Sequence, residues 1–229
     1  MKLSNGVGAL LLGIASSSAL ATPITYDFAG TVTYTTNSLG LSLPAVGTAF
    51  TGFLTYDDAA LPNGSGSTFA TYVDLITAFQ VDYSGVMVSN ASTAVGPYSP
   101  QSSEASVTND RSDGHDGFTF QVATSLLAGD PENTYRNLTL SALTDNTALS
   151  TTALPSTLPD LSAWQINFLT LTYAEYSADN TQVTGNGEAT GALTSLSKRA
   201  TASVPEPSTL ALFLALLALP LFRRFQTRH

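Results

Sequence analysis

The chain has 229 residues, with 8 Lys and Arg against 17 Asp and Glu, two histidines and no cysteine. Charged residues are only 11% of it, where a soluble domain ordinarily carries about a quarter. Without a thiol, disulfide frameworks, zinc–thiolate sites and cysteine nucleophiles are excluded. The acidity is concentrated away from the ends: between the terminal segments stand sixteen acids and four bases, a net charge of −12. Such a surface repels phosphate backbones, so no nucleic-acid partner is expected.

The first predicted element is an address. Lys2 precedes an apolar stretch from Val7 to Ile14, and small residues then lead to Ala19-Leu20-Ala21. A basic start, a short apolar run and an Ala-x-Ala site predict a secretory signal peptide over residues 1–21. Cleavage after Ala21 makes Thr22 the new N-terminus. Gly6, Gly8, Gly13 and the serine run serve an ordinary buried helix poorly.

From Ile24 the pattern changes to a period of two. Ile24, Tyr26, Phe28, Val32 and Tyr34 share one parity, with Gly30 in their row, and Thr25, Asp27, Thr31, Thr33 and Thr35 share the other. That is a strand with one buried face. Similar runs follow at 50–56, 79–83, 86–88, 118–122, 135–140, 164–173 and 188–196. Ser84-Gly85 reads as a hairpin turn. In the run from Trp164 the apolar parity flips between Phe168 and Leu169, which calls for a bulge or a strand buried on both faces. Several short strands punctuated by Gly, Asn, Asp and Pro predict an all-β passenger over residues 22–196, a jelly-roll-like β-sandwich, followed by a linker at 197–203.

Candidate chemistry within the passenger centres on Asn109-Asp-Arg-Ser-Asp-Gly-His115-Asp-Gly117. Asp110, Asp113 and Asp116 are weak candidates for calcium, because their hard oxygens are close in sequence, but the EF-hand order is absent. The plain expectation is a solvated hairpin connection. Gly129-Asp130-Pro131-Glu132-Asn133 is a second acidic turn of the same kind. His115 is the histidine available to a hydrolase outside the tail, yet no Gly-x-Ser-x-Gly elbow accompanies it. Tyr72, Tyr98, Tyr135 and Trp164 are the aromatics available for a sugar platform, although Trp164 opens an alternating apolar run and reads as core. The sequons at Asn63, Asn90 and Asn137 are expected in exposed turns.

The last element is a second address over residues 204–229. Val204-Pro205-Glu206-Pro207 leads into an apolar run from Leu210 to Phe222, and Arg223, Arg224 and Arg228 follow. Thirteen apolar residues reach about 20 Å as a helix, short of the ~30 Å hydrocarbon core, and flanking arginines extend that reach. The basic cluster predicts a cytoplasmic end and an exported passenger, the topology that the N-terminal signal also predicts. A Pro-Glu-Pro triplet, a short Leu/Ala-rich helix and an arginine cluster in that order resemble the PEP-CTERM sorting domain of bacterial surface proteins. Phe28-Ala-Gly-Thr-Val and Thr51-Gly-Phe-Leu-Thr-Tyr-Asp are similar to opening strands in that family, and Gly191-Ala-Leu-Thr-Ser-Leu to a closing one. The resemblance implies an exosortase as partner, transient anchoring in the inner membrane, and release to the cell surface or extracellular matrix. It makes Pro205, Glu206 and Pro207 a recognition element. Pro220 departs from the Gly and Leu common in relatives and kinks the last turn. The expected role is structural or adhesive and non-catalytic, with extracellular polysaccharide as a candidate partner and no cofactor expected. A carbohydrate- or calcium-binding module and an extracellular hydrolase stand as alternatives.

Overall fold

Alternating apolar residues form strands only if each strand finds neighbours for its backbone groups, and here one sheet supplies them all. The computed structural model describes residues 23–38, 43–90, 103–110, 113–124, 134–145, 148–177 and 182–200. The expected signal segment, with Ala19 and Ala21, and the expected sorting tail, with Pro205, Glu206 and Pro207, lie outside the described residues. Among the described residues there are eleven strands: β1 (Ile24–Asn37), β2 (Ala49–Tyr56), β3 (Gly64–Ser65), β4 (Phe69–Val73), β5 (Ile76–Tyr83), β6 (Val86–Ser89), β7 (Ser103–Thr108), β8 (His115–Ala123), β9 (Thr134–Asp145), β10 (Trp164–Tyr176) and β11 (Val183–Lys198). They are antiparallel neighbours in the order β3-β4-β7-β8-β9-β10-β11-β1-β2-β5-β6. The all-β expectation holds. Among the described residues no helix is long and apolar enough to cross a membrane. Strand β11 runs to Lys198, two residues into the stretch expected as linker.

The sheet curls back on itself. Strands β4 and β5 are joined by Asp74 and Leu75 alone, yet they stand second and tenth in the order. Asp74 turns the corner at φ 57°, in the left-handed region that Asp tolerates better than most residues. Its N–H donates to the Ser103 carbonyl at 3.0 Å, the Ile76 N–H to Ser103 Oγ at 3.3 Å, and an isolated bridge joins Asn90 to Thr124. These bonds draw the β5–β6 end of the sheet toward β7 and β8.

Curling turns one face inward, and rings from distant strands meet there. Tyr56 of β2 lies 4.8 Å from Phe120 of β8, and Phe118 meets Trp164 edge-on at 5.0 Å. Such pairs add about 0.5–1.5 kcal/mol each beyond their buried area. One end of the interior is closed by the irregular segment before β10, which inserts Leu154 and Leu158. Core side chains hold that segment by its backbone. Tyr56 donates to the Pro155 carbonyl at 2.6 Å and Tyr72 to that of Thr152 at 2.8 Å. The Leu158 N–H donates to Tyr26 at 2.7 Å, and Trp164 Nε1 to the Pro159 carbonyl at 3.0 Å.

Glycines inside strands normally weaken them; here three aromatic rings cover four of the gaps. Phe28 pairs with Gly52 and Phe50 with Gly30 across β1 and β2, and Phe50 also lies against Gly191. Tyr173 pairs with Gly187 and covers it. Each ring sits in the space a Cβ would fill, a cross-strand packing that fixes register as well as burying area.

The turns and bulges follow the sequence with two corrections. Ser84 (φ 54°) and Gly85 (φ 101°) form the expected two-residue hairpin between Tyr83 and Val86. The parity flip in β10 arises from a bulge, placed at Gln165 by a register shift between Trp164 and Ile166. After it Leu169, Leu171 and Tyr173 face inward, while Ile166 is 45% exposed. Tyr34, assigned by parity to the buried row, is 55% exposed because β1 has a bulge of its own between Val32 and Tyr34. Asn137 is buried within β9 rather than lying in an exposed turn.

Tyr83 carries a cost. Its hydroxyl is buried with no hydrogen-bond partner among the described residues, and desolvation pushes its ionisation well above the ordinary phenol range. Replacing an unsatisfied buried hydroxyl by hydrogen removes that penalty. Tyr83→Phe is therefore expected to stabilise the fold by about 1 kcal/mol, read as a higher denaturation midpoint at unchanged m-value. A lower midpoint would show that the hydroxyl is satisfied in solution.

Candidate functional site

The acidic loop before β8 is a structural joint. Asp116 shares the parity of Phe118, Phe120 and Val122 in β8, so its side chain points inward and is fully buried. One carboxylate oxygen accepts the Asp110 N–H at 2.8 Å and the other the Leu149 N–H at 2.8 Å. It thus ties the turn before β8 to the segment that closes the core. Asp110 adopts φ 53° to present that N–H, and its own Oδ2 accepts from Asn109 Nδ2 at 3.0 Å. Asp113 lies at the turn, where its carboxylate accepts the His115 N–H at 3.3 Å.

The expectation of a solvated connection is corrected at Asp116, whose parity with the inward phenylalanines was the available signal. The three aspartates of the calcium candidate face different partners, and no cluster of three metal-ligating side chains occurs among the described residues. His115 opens β8 rather than sitting in a free loop. Its Nδ1 lies 3.2 Å from the Thr144 carbonyl, which can only accept, so Nδ1 bears the proton.

The aromatics singled out as a sugar platform divide in the same way. Tyr72 and Trp164 are core, at 3% and 6% exposure. Tyr135 is half-buried on β9, and Tyr98 and the acidic turn at 129–133 lie outside the described residues.

A concave feature that the sequence reading did not anticipate lies on the outer face of β11, β1, β2, β5 and β6. Register alone builds it from two rows of side chains that cross the strands. One row runs Ser197, Asp27, Phe53, Gln80, Ser89, and the other Ser195, Ala29, Thr51, Asp82, Met87. Ala29 is small and Phe53 and Met87 are tall, so the rows enclose an open hollow of about 450 Å³. Arg199 stands against two of its lining residues. Its Nε donates to Asp27 Oδ2 at 3.0 Å, its Nη2 to Oδ1, and its guanidinium lies 5.1 Å from the centre of the Phe53 ring. The bond to Arg199 holds the Asp27 carboxyl below its ordinary range. Asp82 Oδ1 accepts the Gly85 N–H at 2.6 Å, and Gln80 Nε2 lies 2.7 Å from Met87 Sδ. Only alternate positions of strands whose register is unknown hint at this site, so composition could not find it.

Comparison with protein-family models, with curated proteins and with solved structures finds no match for the chain.

Proposed function

We propose that this chain is an exported bacterial surface or matrix protein whose C-terminal Pro-Glu-Pro signal is read and cleaved by an exosortase. The observation that carries the reading is the order of features at the C-terminus: Pro205-Glu206-Pro207, the apolar run from Leu210 to Phe222, then the arginines. Two prolines keep the triplet extended and prevent a helix from growing back into it, so a membrane protease meets an accessible peptide just outside the bilayer.

The passenger's architecture supports that use. Its first and last strands are antiparallel neighbours, with Tyr26 opposite Lys198 and the Arg199 N–H donating to the Thr25 carbonyl at 2.8 Å. The start of β1 and the end of β11 therefore lie side by side in the sheet. The passenger is a sandwich-like scaffold, jelly-roll-like in its β2–β3, β4–β5 and β6–β7 crossings between the two facing halves of the sheet. It is non-catalytic, with a structural or adhesive role outside the cell after transient anchoring in the inner membrane.

The export step has a direct test. N-terminal sequencing of the protein recovered from the cell envelope is expected to begin at Thr22. Recovery of chains that start at Met1 would contradict it.

A further inference from the structure

We propose that the hollow on the outer face of β11, β1, β2, β5 and β6 binds a segment of neutral polysaccharide. The first argument is the kind of contact available. The hollow lies on the face of the sheet, where backbone groups are engaged in the ladders of β1 with β11 and β2 and of β5 with β2 and β6. A peptide adding itself as a strand needs an edge with open N–H and C=O groups, and the hollow lies on the face of the sheet, inside the outer edge of β6. A ligand here meets side chains: the hydroxyls of Thr51, Ser195 and Ser197, the Gln80 amide and the Asp82 carboxylate. Hydroxyls and an amide that both donate and accept, beside a carboxylate that accepts, suit a partner rich in hydroxyl groups.

The second argument is the apolar component. A pyranose presents C–H faces as well as hydroxyls, and Ala29 as floor with Phe53 and Met87 as walls supplies matching surface. Arg199 stacked on Phe53 holds that ring in place, so little side-chain freedom is lost on binding. Met87 is 48% exposed, an unbranched side chain that can adapt to an irregular partner.

The third argument concerns length and charge. Two rows that cross five strands about 4.8 Å apart extend over roughly 19 Å, which favours a stretch of polymer over a single sugar. Asp27 and Asp82 line the hollow, Arg199 beside it pairs with Asp27, and the surrounding passenger is acidic. Uronate or phosphate polymers are repelled by that field, and a neutral glycan is not. This inference does not depend on the sorting tail, and it places carbohydrate contact at residues other than Tyr72 and Trp164.

The test is native affinity electrophoresis of the full chain, in non-ionic detergent, through gels that contain dextran, mixed-linkage β-glucan, galactomannan or alginate. Retardation is expected in at least one neutral polymer and not in alginate. Ala29→Tyr, which fills the floor of the hollow with a good strand former, is expected to abolish retardation. Gln80→Ala is expected to weaken it about five- to tenfold, the loss of one hydrogen bond. Both variants should keep the wild-type melting temperature. The proposal fails if no neutral polymer retards the protein, if alginate retards it as strongly, if a casein digest competes as well as the glycan, or if both variants retain wild-type retardation.

Discussion

Gly30→Ala is expected to lower the melting temperature by roughly 6–12 °C, from a loss of about 3 kcal/mol at ~2–4 °C per kcal/mol for a domain of this size. A methyl group on an exposed strand glycine is usually harmless or helpful. Gly30 differs because its Cβ would collide with both the Ala192 carbonyl of β11 and the Phe50 ring of β2. The ring can move and the carbonyl cannot without breaking the β1–β11 ladder. Truncation of the ring in Gly30→Ala/Phe50→Ala should therefore not restore stability. Gly187 provides the contrast. The nearest atoms to its Cβ are all on the Tyr173 ring, so Gly187→Ala and Tyr173→Leu should show a favourable coupling of about 1 kcal/mol or more in a double-mutant cycle. Equal behaviour of the two glycines would mean that backbone approach is not what fixes Gly30.

Asp116→Ala is expected to cost about 3–5 kcal/mol, because two buried backbone amides lose their acceptor at ~1–3 kcal/mol each. Asp116→Asn keeps one oxygen and turns an NH2 group toward the second amide, so its loss should fall between wild type and alanine. Hydrogen exchange gives a local readout: the amides of Asp110 and Leu149, the two donors to this carboxylate, should lose protection in the alanine variant. A wild-type melting curve for Asp116→Asn would show that the carboxylate is not the joint between these segments.

Eight runs of alternating residues were legible in the sequence, and each lies within a strand. The strands that escaped detection have physical reasons to be quiet. In β7 the inward residues are Ser103, Ala105 and Val107, too small to announce a buried row. In β4 the inward residues are Ala70 and Tyr72, while Phe69 is 47% exposed, so the obvious hydrophobe points the wrong way. Ala105 is small because Tyr72 stands opposite it across the strand pair. Such complementarity is a property of pairs, and a single strand does not display it.

The same limit governs the sites. The inward turn of Asp116 was available from parity within β8, since it continues the row of Phe118 and Phe120. Its partners were not, because Leu149 belongs to a segment whose backbone is held by Tyr26, Tyr56 and Tyr72 from three other strands. The outer hollow needs the register of five strands at once. By contrast, the proposed sorting signal lies in consecutive residues, where it is legible without any knowledge of register.

Sorting is therefore where the account is most directly tested. In cells that carry an exosortase, the wild-type protein and a Pro205→Ala/Glu206→Ala/Pro207→Ala variant are fractionated and their intact masses compared. The variant's passenger should fold and melt like wild type, because the triplet lies beyond the last strand at Lys198. Wild type is expected at the cell surface or in the medium without its tail. The variant is expected in the inner membrane, heavier by the mass of the retained tail. Processing and delivery of the variant equal to wild type would contradict the account and reduce the C-terminus to a hydrophobic anchor.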